Sequence, residues 1–224
     1  MKVVIFGNGA FASLAWYMLT QDSEHEVVGF MVDRDYLREG ALHGLPVVSF
    51  QEIATHFPPN AFGMIAPLGF VQLNGLRKAK HEAGKSLGYR FISHVSSKSI
   101  TWPDLTLGEN SMIFEGSIVQ PFAQIGAGVI VRAGATLGHH CTIGDYCFVA
   151  SSAVIGGRAR IGSRCLLGLN STIRDGITVA PRCVIGAGAV VIEDTEEDGV
   201  YVGVPAKRTS HSAASVGSVA PVQA

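Results

Sequence analysis

The sequence predicts two consecutive domains: an α/β domain with a parallel sheet over residues 1–95, and a parallel β-helix of hexapeptide repeats over residues 96–208. Two patterns support this division. A strand, a glycine turn and a helix follow one another at the start, and an aliphatic residue occupies every sixth position from residue 107 to residue 191. The composition agrees with short strands and tight turns, because glycine is abundant, with 27 of 224 residues, and charged residues make up only 16%.

The charge of the chain limits the kinds of partner it can have. The 17 basic and 18 acidic residues nearly cancel, so no positive field is available to hold nucleic acid or an anionic membrane surface. No uninterrupted apolar stretch reaches the roughly 18 residues of a membrane span. We therefore expect a soluble, cytoplasmic protein whose partners are small molecules or other protein chains.

The front domain opens with a pattern typical of a nucleotide-binding half-fold. Residues 2–7 (KVVIFG) predict a buried strand, followed by the turn GNGAFA and an apolar helix, and a second strand over residues 26–32 ends at an aspartate. A glycine turn lets the backbone approach phosphate, and an acidic side chain can accept ribose hydroxyls. The candidate nucleotide-binding residues are Gly7, Asn8, Gly9, Ala10, Phe11, Asp33 and Arg34. The alternative is that the glycines serve only a tight turn and the aspartate caps the next segment.

Further elements complete this domain. Residues 45–50, 61–66 and 89–95 predict strands, and residues 72–84 predict a helix between the last two. About 95 residues are too few for the two half-folds and catalytic domain of a dinucleotide dehydrogenase. Residues 96–106 should link the domains, and residues 209–224 should form a mobile tail.

The repeat combines two columns of residues. Fifteen aliphatic residues recur without a slip from Leu107 to Val191, and four positions after each lies a second, mostly small residue. Such a unit describes a short strand and a corner, and three units should close a triangular coil of eighteen residues. Five coils result, and residues eighteen apart should become neighbours at the interstrand spacing of about 4.8 Å. All four cysteines lie in the small column, which predicts buried apolar side chains rather than redox or metal chemistry: Cys141, Cys147, Cys165 and Cys183.

Two further features of the repeat need an explanation. Glycine follows the aliphatic residue in eight units, for which the sequence gives no single reason. The outward position before the aliphatic residue is apolar in eight of fifteen units: Met112, Ile118, Ile130, Phe148, Val154, Leu166, Val184 and Val190. Exposed apolar flanks of this kind predict association with further copies of the chain.

The repeat resembles the hexapeptide-repeat acyltransferases. That resemblance implies a left-handed parallel β-helix that assembles as a homotrimer with active sites between subunits. Both domains together resemble the sugar-nucleotide N-acyltransferases of the PglD/NeuD group, through GNGAFA, Asp33, the residues SHVSS at 93–97, the sequence HHC at 139–141 and VGVPAK at 202–207. The resemblance implies transfer of an acetyl group from acetyl-coenzyme A to the amino group of a nucleotide-linked deoxysugar, without a metal.

The candidate catalytic residues lie at one corner of the repeat. His139 and His140 are the only histidines within it, and their positions predict that they face outward. Histidine can act as a base near neutral pH, although a solvated turn histidine is the structural alternative. The resemblance makes His139 the general base and gives Gly157, one coil later, the oxyanion-donor role. The same spacing links Ser151 to Leu169, Ala187 and Pro205 as a track for the pantetheine arm, with Lys207 or Arg208 near the phosphates of coenzyme A.

Three departures from the group leave alternatives open. His140 stands where many members have a glutamate that orients the base, Arg132 replaces a common asparagine near the sugar, and Phe148 replaces a second histidine. The sugar and the acyl group are therefore open, and O-acetylation is an alternative. A metal-dependent hydratase would need three histidines converging on zinc, where the repeat has only an adjacent pair. A non-catalytic nucleotide-sugar-binding scaffold is the third possibility.

Overall fold

The computed structural model describes residues 1–38 and 40–216. The predicted α/β front domain is confirmed, with a six-stranded sheet in the order β3-β4-β2-β1-β5-β6. Its strands are β1 (Lys2–Phe6), β2 (Glu26–Val32), β3 (Ala41–Leu42), β4 (Leu45–Ser49), β5 (Gly63–Ile65) and β6 (Arg90–Phe91), and its helices are α1 (Ala10–Gln21), α2 (Ile53–His56) and α3 (Gly75–Ser86). All neighbours pair in parallel except β3 and β4. Strand order reverses beside β1, where ligands of such sheets bind.

The predicted β-helix is also confirmed. Fifteen two-residue strands each end on the repeating aliphatic residue: β8 (Thr106–Leu107), β9 (Met112–Ile113), β10 (Ile118–Val119), β11 (Gln124–Ile125), β12 (Ile130–Val131), β13 (Thr136–Leu137), β14 (Thr142–Ile143), β15 (Phe148–Val149), β16 (Val154–Ile155), β17 (Arg160–Ile161), β18 (Leu166–Leu167), β19 (Thr172–Ile173), β20 (Thr178–Val179), β21 (Val184–Ile185) and β22 (Val190–Val191). They form three parallel faces, and each residue pairs with the one eighteen positions later.

The segment 89–95 forms two strands where the sequence predicted one. Strand β6 belongs to the front sheet, whereas β7 (His94–Val95) pairs with β9 in the β-helix. The chain changes sheets within two residues, because the N–H of Ile92 donates to Met64 and that of His94 donates to Ser111. The expected link over 96–106 is thus part of a first coil, which also includes a bridge between Ile100 and Ile118.

The recurring glycines have a common structural cause. In the fourteen units from Leu107 to Ile185, the third residue after the aliphatic position adopts a positive φ, as at His140 and Tyr146, and this sharp corner brings successive coils together. A Cβ on Gly138 would lie 2.6 Å from the amide nitrogen of Gly157. Most of the other glycines that follow the aliphatic residue face the backbone of the next coil in the same way. Close approach between coils, rather than the glycine's own φ, therefore selects this residue.

The inward column packs as predicted. Cys141, Cys147, Cys165 and Cys183 are fully buried and unpaired in the prism core. Burial raises the pKa of the Cys141 thiol to about 12. This cysteine is therefore protonated near neutral pH and acts as a small apolar side chain.

The three faces of the prism have different surroundings, which corrects the expectation for the outward apolar residues. Five of the eight, on the face containing β9, β12, β15, β18 and β21, are buried beneath the front domain of the same chain: Met112, Ile130, Phe148, Leu166 and Val184. Only Ile118, Val154 and Val190 lie on the uncovered face of β10, β13, β16, β19 and β22. The face of β8, β11, β14, β17 and β20 is polar. The apolar surface left for another copy is thus one face.

A buried arginine joins the domains. Arg77 of α3 is fully buried, and burial lowers its pKa to about 9, so it is charged at neutral pH. Its guanidinium donates to acceptors in both domains: the carbonyl oxygens of Leu68, Gly69, Gly128, Tyr146 and Cys147, and Oδ1 of Asn74. These bonds fix α3 and the loop after β5 against one corner of the prism.

The end of the β-helix departs from the regular repeat. Strand β23 (Gly199–Val202) pairs with β21 at a spacing of sixteen residues, and β24 (Lys207–Ser212) returns antiparallel beside it. Helix α4 (Ala213–Val216) follows, with Ala213 buried. The first half of the expected mobile tail is therefore packed, because its backbone extends a sheet of the prism. Residues 217–224, also assigned to that tail, lie outside the described residues.

Candidate functional site

The two adjacent histidines occupy an exposed corner of the prism between β13 and β14. Their Nδ1 atoms lie 3.1 Å apart, which makes one ring the donor and the other the acceptor. The His140 ring also packs against Phe122, one coil below, with ring centroids 4.6 Å apart. Gln120 accepts a hydrogen bond from the N–H of His139. Neighbouring side chains therefore hold this corner, and His140 supplies the partner for which the sequence offered no glutamate.

Gly157 lies directly above His139, as the repeat spacing predicted. A Cβ on Gly157 would lie 2.7 Å from Nε2 of His139, so the imidazole covers this glycine. The N–H of Gly157, however, donates to Oδ1 of Asp175 in the following coil. The predicted oxyanion-donor role of Gly157 therefore requires the Asp175 carboxylate to leave this N–H. Asp145 accepts from Ala127 in the same way, which indicates a recurrent structural cap.

The glycine turn lies at the carboxyl end of β1, where a nucleotide would bind. Gly7 has a φ of +117°, which favours glycine, and Gly9 is the N-cap of α1. The first turn of α1 has neither a capping side chain nor an acidic residue, and its first intrahelical bond joins the N–H of Ser13 to Gly9. The preceding amides at Ala10 and Phe11, with Asn8 in the turn, lie at the helix end suited to an anion.

The other two front-domain candidates already have partners in the chain. Asp33 lies at the end of β2, and its Oδ1 is 2.6 Å from Nζ of Lys80. Arg34 forms an exposed ion pair with Glu52 at 2.8 Å. The Asp33 carboxylate is therefore not simply open to ribose: a ribose hydroxyl would have to share it with Lys80.

The proposed pantetheine column follows another corner of the prism, between β12 and β13 and the equivalent turns above it. The N–H of Asn170 donates to Ser151 and that of Gly188 donates to Leu169, so residues 151, 169 and 187 stack as predicted, and Leu169 and Ala187 are exposed. Pro205 leaves this register because the last coil has sixteen residues. The exposed Lys207 begins β24, whereas Arg208 is paired with Glu196.

One chain does not bring all candidate residues together. Phe11 of the glycine turn packs against Phe114 and Phe148, beside the corner that carries Ser151 and Leu169. His139 and Gly157 lie at the next corner, on the far side of the uncovered face. The glycine turn and the proposed pantetheine column are therefore neighbours. The histidine pair is separated from both by the width of the uncovered face.

Three residues that the sequence interpretation did not single out belong to the histidine corner: Gln120, Phe122 and Asp175. The spacing of eighteen would have found two of them, because it places Phe122 below His140 and Asp175 above Gly157. Among the described residues, no three side chains of histidine, cysteine, aspartate or glutamate lie close enough to hold a metal ion. No helix in residues 1–38 and 40–216 is long and apolar enough to span a membrane.

The repeat and the architecture define the class of protein. Residues 104–139 match the family of bacterial transferase hexapeptides with six repeats, and residues 158–193 match the hexapeptide repeat of succinyl-transferase. Both matched ranges lie within the β-helix, so the fold is an α/β front domain followed by a left-handed parallel β-helix built from hexapeptide repeats. No curated protein sequence matches it significantly.

Solved structures share this two-domain fold over nearly the whole chain. PerB from Caulobacter crescentus, in complex with CoA and GDP-perosamine, is 22% identical, with a TM-score of 0.83 over 94% of this chain and 98% of that one. The acetyltransferase domain of PglB from Neisseria gonorrhoeae is 24% identical, with a TM-score of 0.83 over 93% of this chain and 99% of that domain. WeeI from Acinetobacter baumannii is 19% identical, with a TM-score of 0.82 over 93% of this chain and 100% of WeeI. At these identities the likeness establishes the fold.

Proposed function

We propose that the protein is an N-acetyltransferase that moves an acetyl group from acetyl-coenzyme A to the amino group of a nucleotide-linked amino-deoxysugar. The observation that carries the proposal is the exposed imidazole of His139, with Nε2 over Gly157 and Nδ1 against His140. The uncapped glycine turn of the same chain supports the nucleotide part of the substrate. PerB, which is described with CoA and GDP-perosamine, supports both substrates.

The histidine pair can perform the proton transfer. In the tautomer of His139 that carries its proton on Nδ1, that N–H donates a hydrogen bond to Nδ1 of His140, and Nε2 has a free lone pair. The sugar amine attacks the thioester carbonyl and forms the C–N bond, while Nε2 takes the proton that the amine loses. Collapse of the tetrahedral intermediate breaks the C–S bond, and the proton passes to the departing sulfur. The products are the amide and free coenzyme A.

The tetrahedral intermediate also needs a donor for its oxyanion. We assign this role to the N–H of Gly157, which becomes available when the Asp175 carboxylate turns aside. Aspartate is exposed at this corner, so the movement needs no rearrangement of the core. Binding of the thioester and release of Asp175 would then be coupled.

The separation of the candidate residues favours a site shared between copies of the chain. His139 lies across the uncovered face from the glycine turn and from Leu169. A neighbour seated on that face, which presents Ile118, Val154 and Val190, would bring its histidine corner beside the turn of the first chain. We therefore propose a homotrimer in the cytoplasm, where acetyl-coenzyme A and nucleotide sugars meet. Leu169, Ala187, Pro205 and Lys207 would bind the coenzyme.

A transfer assay tests this function. The purified protein is incubated with acetyl-coenzyme A and nucleotide-linked sugars that differ in the nucleoside and in the ring position of the amine. We expect thiol release that depends on one class of amino sugar, with one acetyl group added at nitrogen in the product. Matched sugars with hydroxyls in place of amines separate N-transfer from O-transfer. Thiol release that is independent of every amine would contradict the proposal.

A further inference from the structure

Arg132 is a half-buried arginine whose Nη1 has no acceptor among the described residues. Its Nη1 is buried without a hydrogen-bond partner. Its contacts are with two aromatic faces, since Cζ lies 4.3 Å from the ring centroid of Phe114 and 5.0 Å from that of Phe11. Burial lowers its pKa, which the charge of the exposed Glu115 partly offsets. A buried donor without an acceptor costs free energy, so a ligand that supplied the acceptor would be favoured.

The other arginines with described contacts differ from Arg132 in this respect. Arg77, which is more deeply buried, donates to acceptors from both domains. Arg182 forms a two-bond pair with Asp198, and Arg164 donates to the carbonyl of Leu73. A buried guanidinium nitrogen without an acceptor among the described residues is therefore not a general property of these arginines.

The position of Arg132 adds a second, independent indication. Phe11, against which the guanidinium packs, lies in the first turn of α1, where no acidic or capping side chain is present. The unpaired amides at the start of a helix attract negative charge. A cationic side chain and a helix N-terminus thus meet where the front domain contacts the prism, and both favour the same kind of ligand.

We propose that Arg132 binds an anionic oxygen group of the nucleotide-linked substrate at the N-terminus of α1 and thereby selects that substrate. Two groups share this chemistry: a phosphate of the nucleotide and a carboxylate on the sugar. The planar guanidinium can donate two parallel hydrogen bonds to either one. The inference rests on the proposed function and adds the charge of the group that is recognised.

Calorimetric titration of Arg132→Gln tests this role and separates the two sources. UDP, GDP and dTDP are titrated first, followed by the hexose and hexuronate conjugates of whichever nucleotide binds. If phosphate is the ligand, Arg132→Gln weakens binding of the nucleoside diphosphate itself by about 10- to 100-fold, the size of a charged hydrogen bond. If a sugar carboxylate is the ligand, the variant loses affinity by that factor for the hexuronate alone. Arg132→Lys keeps the positive charge but cannot donate two parallel hydrogen bonds. Its affinity for the ligand should lie between those of the wild type and Arg132→Gln.

The controls make a negative result informative. Arg160→Gln removes the same charge from the exposed polar face and should bind every ligand as the wild type does. Unchanged thermal unfolding of Arg132→Gln would show that the variant is folded, so that a loss of binding reports the missing guanidinium. If Arg132→Gln binds every ligand with an affinity within twofold of the wild type, the role of Arg132 is overturned. The proposed acetyl-transfer function would not be affected by that result. Failure of the wild type to bind any nucleotide would overturn the proposed function as well.

Discussion

Replacement of His139 by alanine is expected to lower kcat by about 10²- to 10⁴-fold, the usual contribution of a general base. The side chain is exposed and makes its ring contact with His140, so its removal should leave folding and assembly unchanged. Steady-state acetyl transfer measures the loss, and size-exclusion chromatography with light scattering measures the assembly. Turnover near that of the wild type would remove His139 from the mechanism.

His140→Glu is the matched variant for this experiment. A carboxylate at position 140 can accept the Nδ1 proton of His139, as the second imidazole does, and would keep Nε2 free. His140→Ala removes the acceptor and leaves the ring without a partner on that side. We therefore expect the glutamate variant to retain more activity than the alanine variant. The opposite order would contradict the role of His140 in orienting the base.

Replacement of Arg77 by methionine is expected to lower the free energy of unfolding by about 3 kcal/mol or more. Methionine fills much of the volume but leaves several buried acceptors without a donor, each at a cost of about 1–3 kcal/mol. Urea unfolding followed by tryptophan fluorescence measures the change. The loss should include both domains, since the acceptors come from the loop after β5 and from the prism.

Lys78→Met on the same helix is the control. Its side chain is 44% exposed and forms a weak pair with Glu82, so its replacement should change stability by less than about 0.5 kcal/mol. Equal unfolding midpoints for Arg77→Met and Lys78→Met would show that the buried guanidinium does not join the domains.

The β-helix could be predicted from the sequence because its strand pairing follows from a short repeat in the chain. A six-residue period fixes which side chains point inward, and three periods fix the pairing, so the position of Gly157 above His139 followed from counting. The spacing failed only where a coil has sixteen residues, which moved Pro205 out of the column. The division of 89–95 between two sheets depends on contacts with Met64 and Ser111 that no local pattern records.

The features that could not be predicted from the sequence depend on contacts between residues that are distant in the chain. Arg77 gave no signal on an otherwise polar helix, because its acceptors are backbone carbonyls up to seventy residues away. Met112 and Ile130 resembled a surface for a partner chain until the front domain was found to cover them. Asp175 reads as an ordinary surface charge, and only its place in the coil shows that it occupies the Gly157 amide.

Complementation between two inactive variants tests most directly whether the active site is shared between chains. Gly9→Asp places a carboxylate at the N-terminus of α1, where it stabilises the helix but repels phosphate, and no atom lies within 4 Å of the added Cβ. Gly9→Ala is its uncharged control. Oligomers reassembled from equal amounts of Gly9→Asp and His139→Ala should regain about one quarter of wild-type activity, because each half of a shared site is intact in half of the random pairings. Activity no higher than that of the separate variants would place the histidine and the nucleotide in one chain and contradict the account.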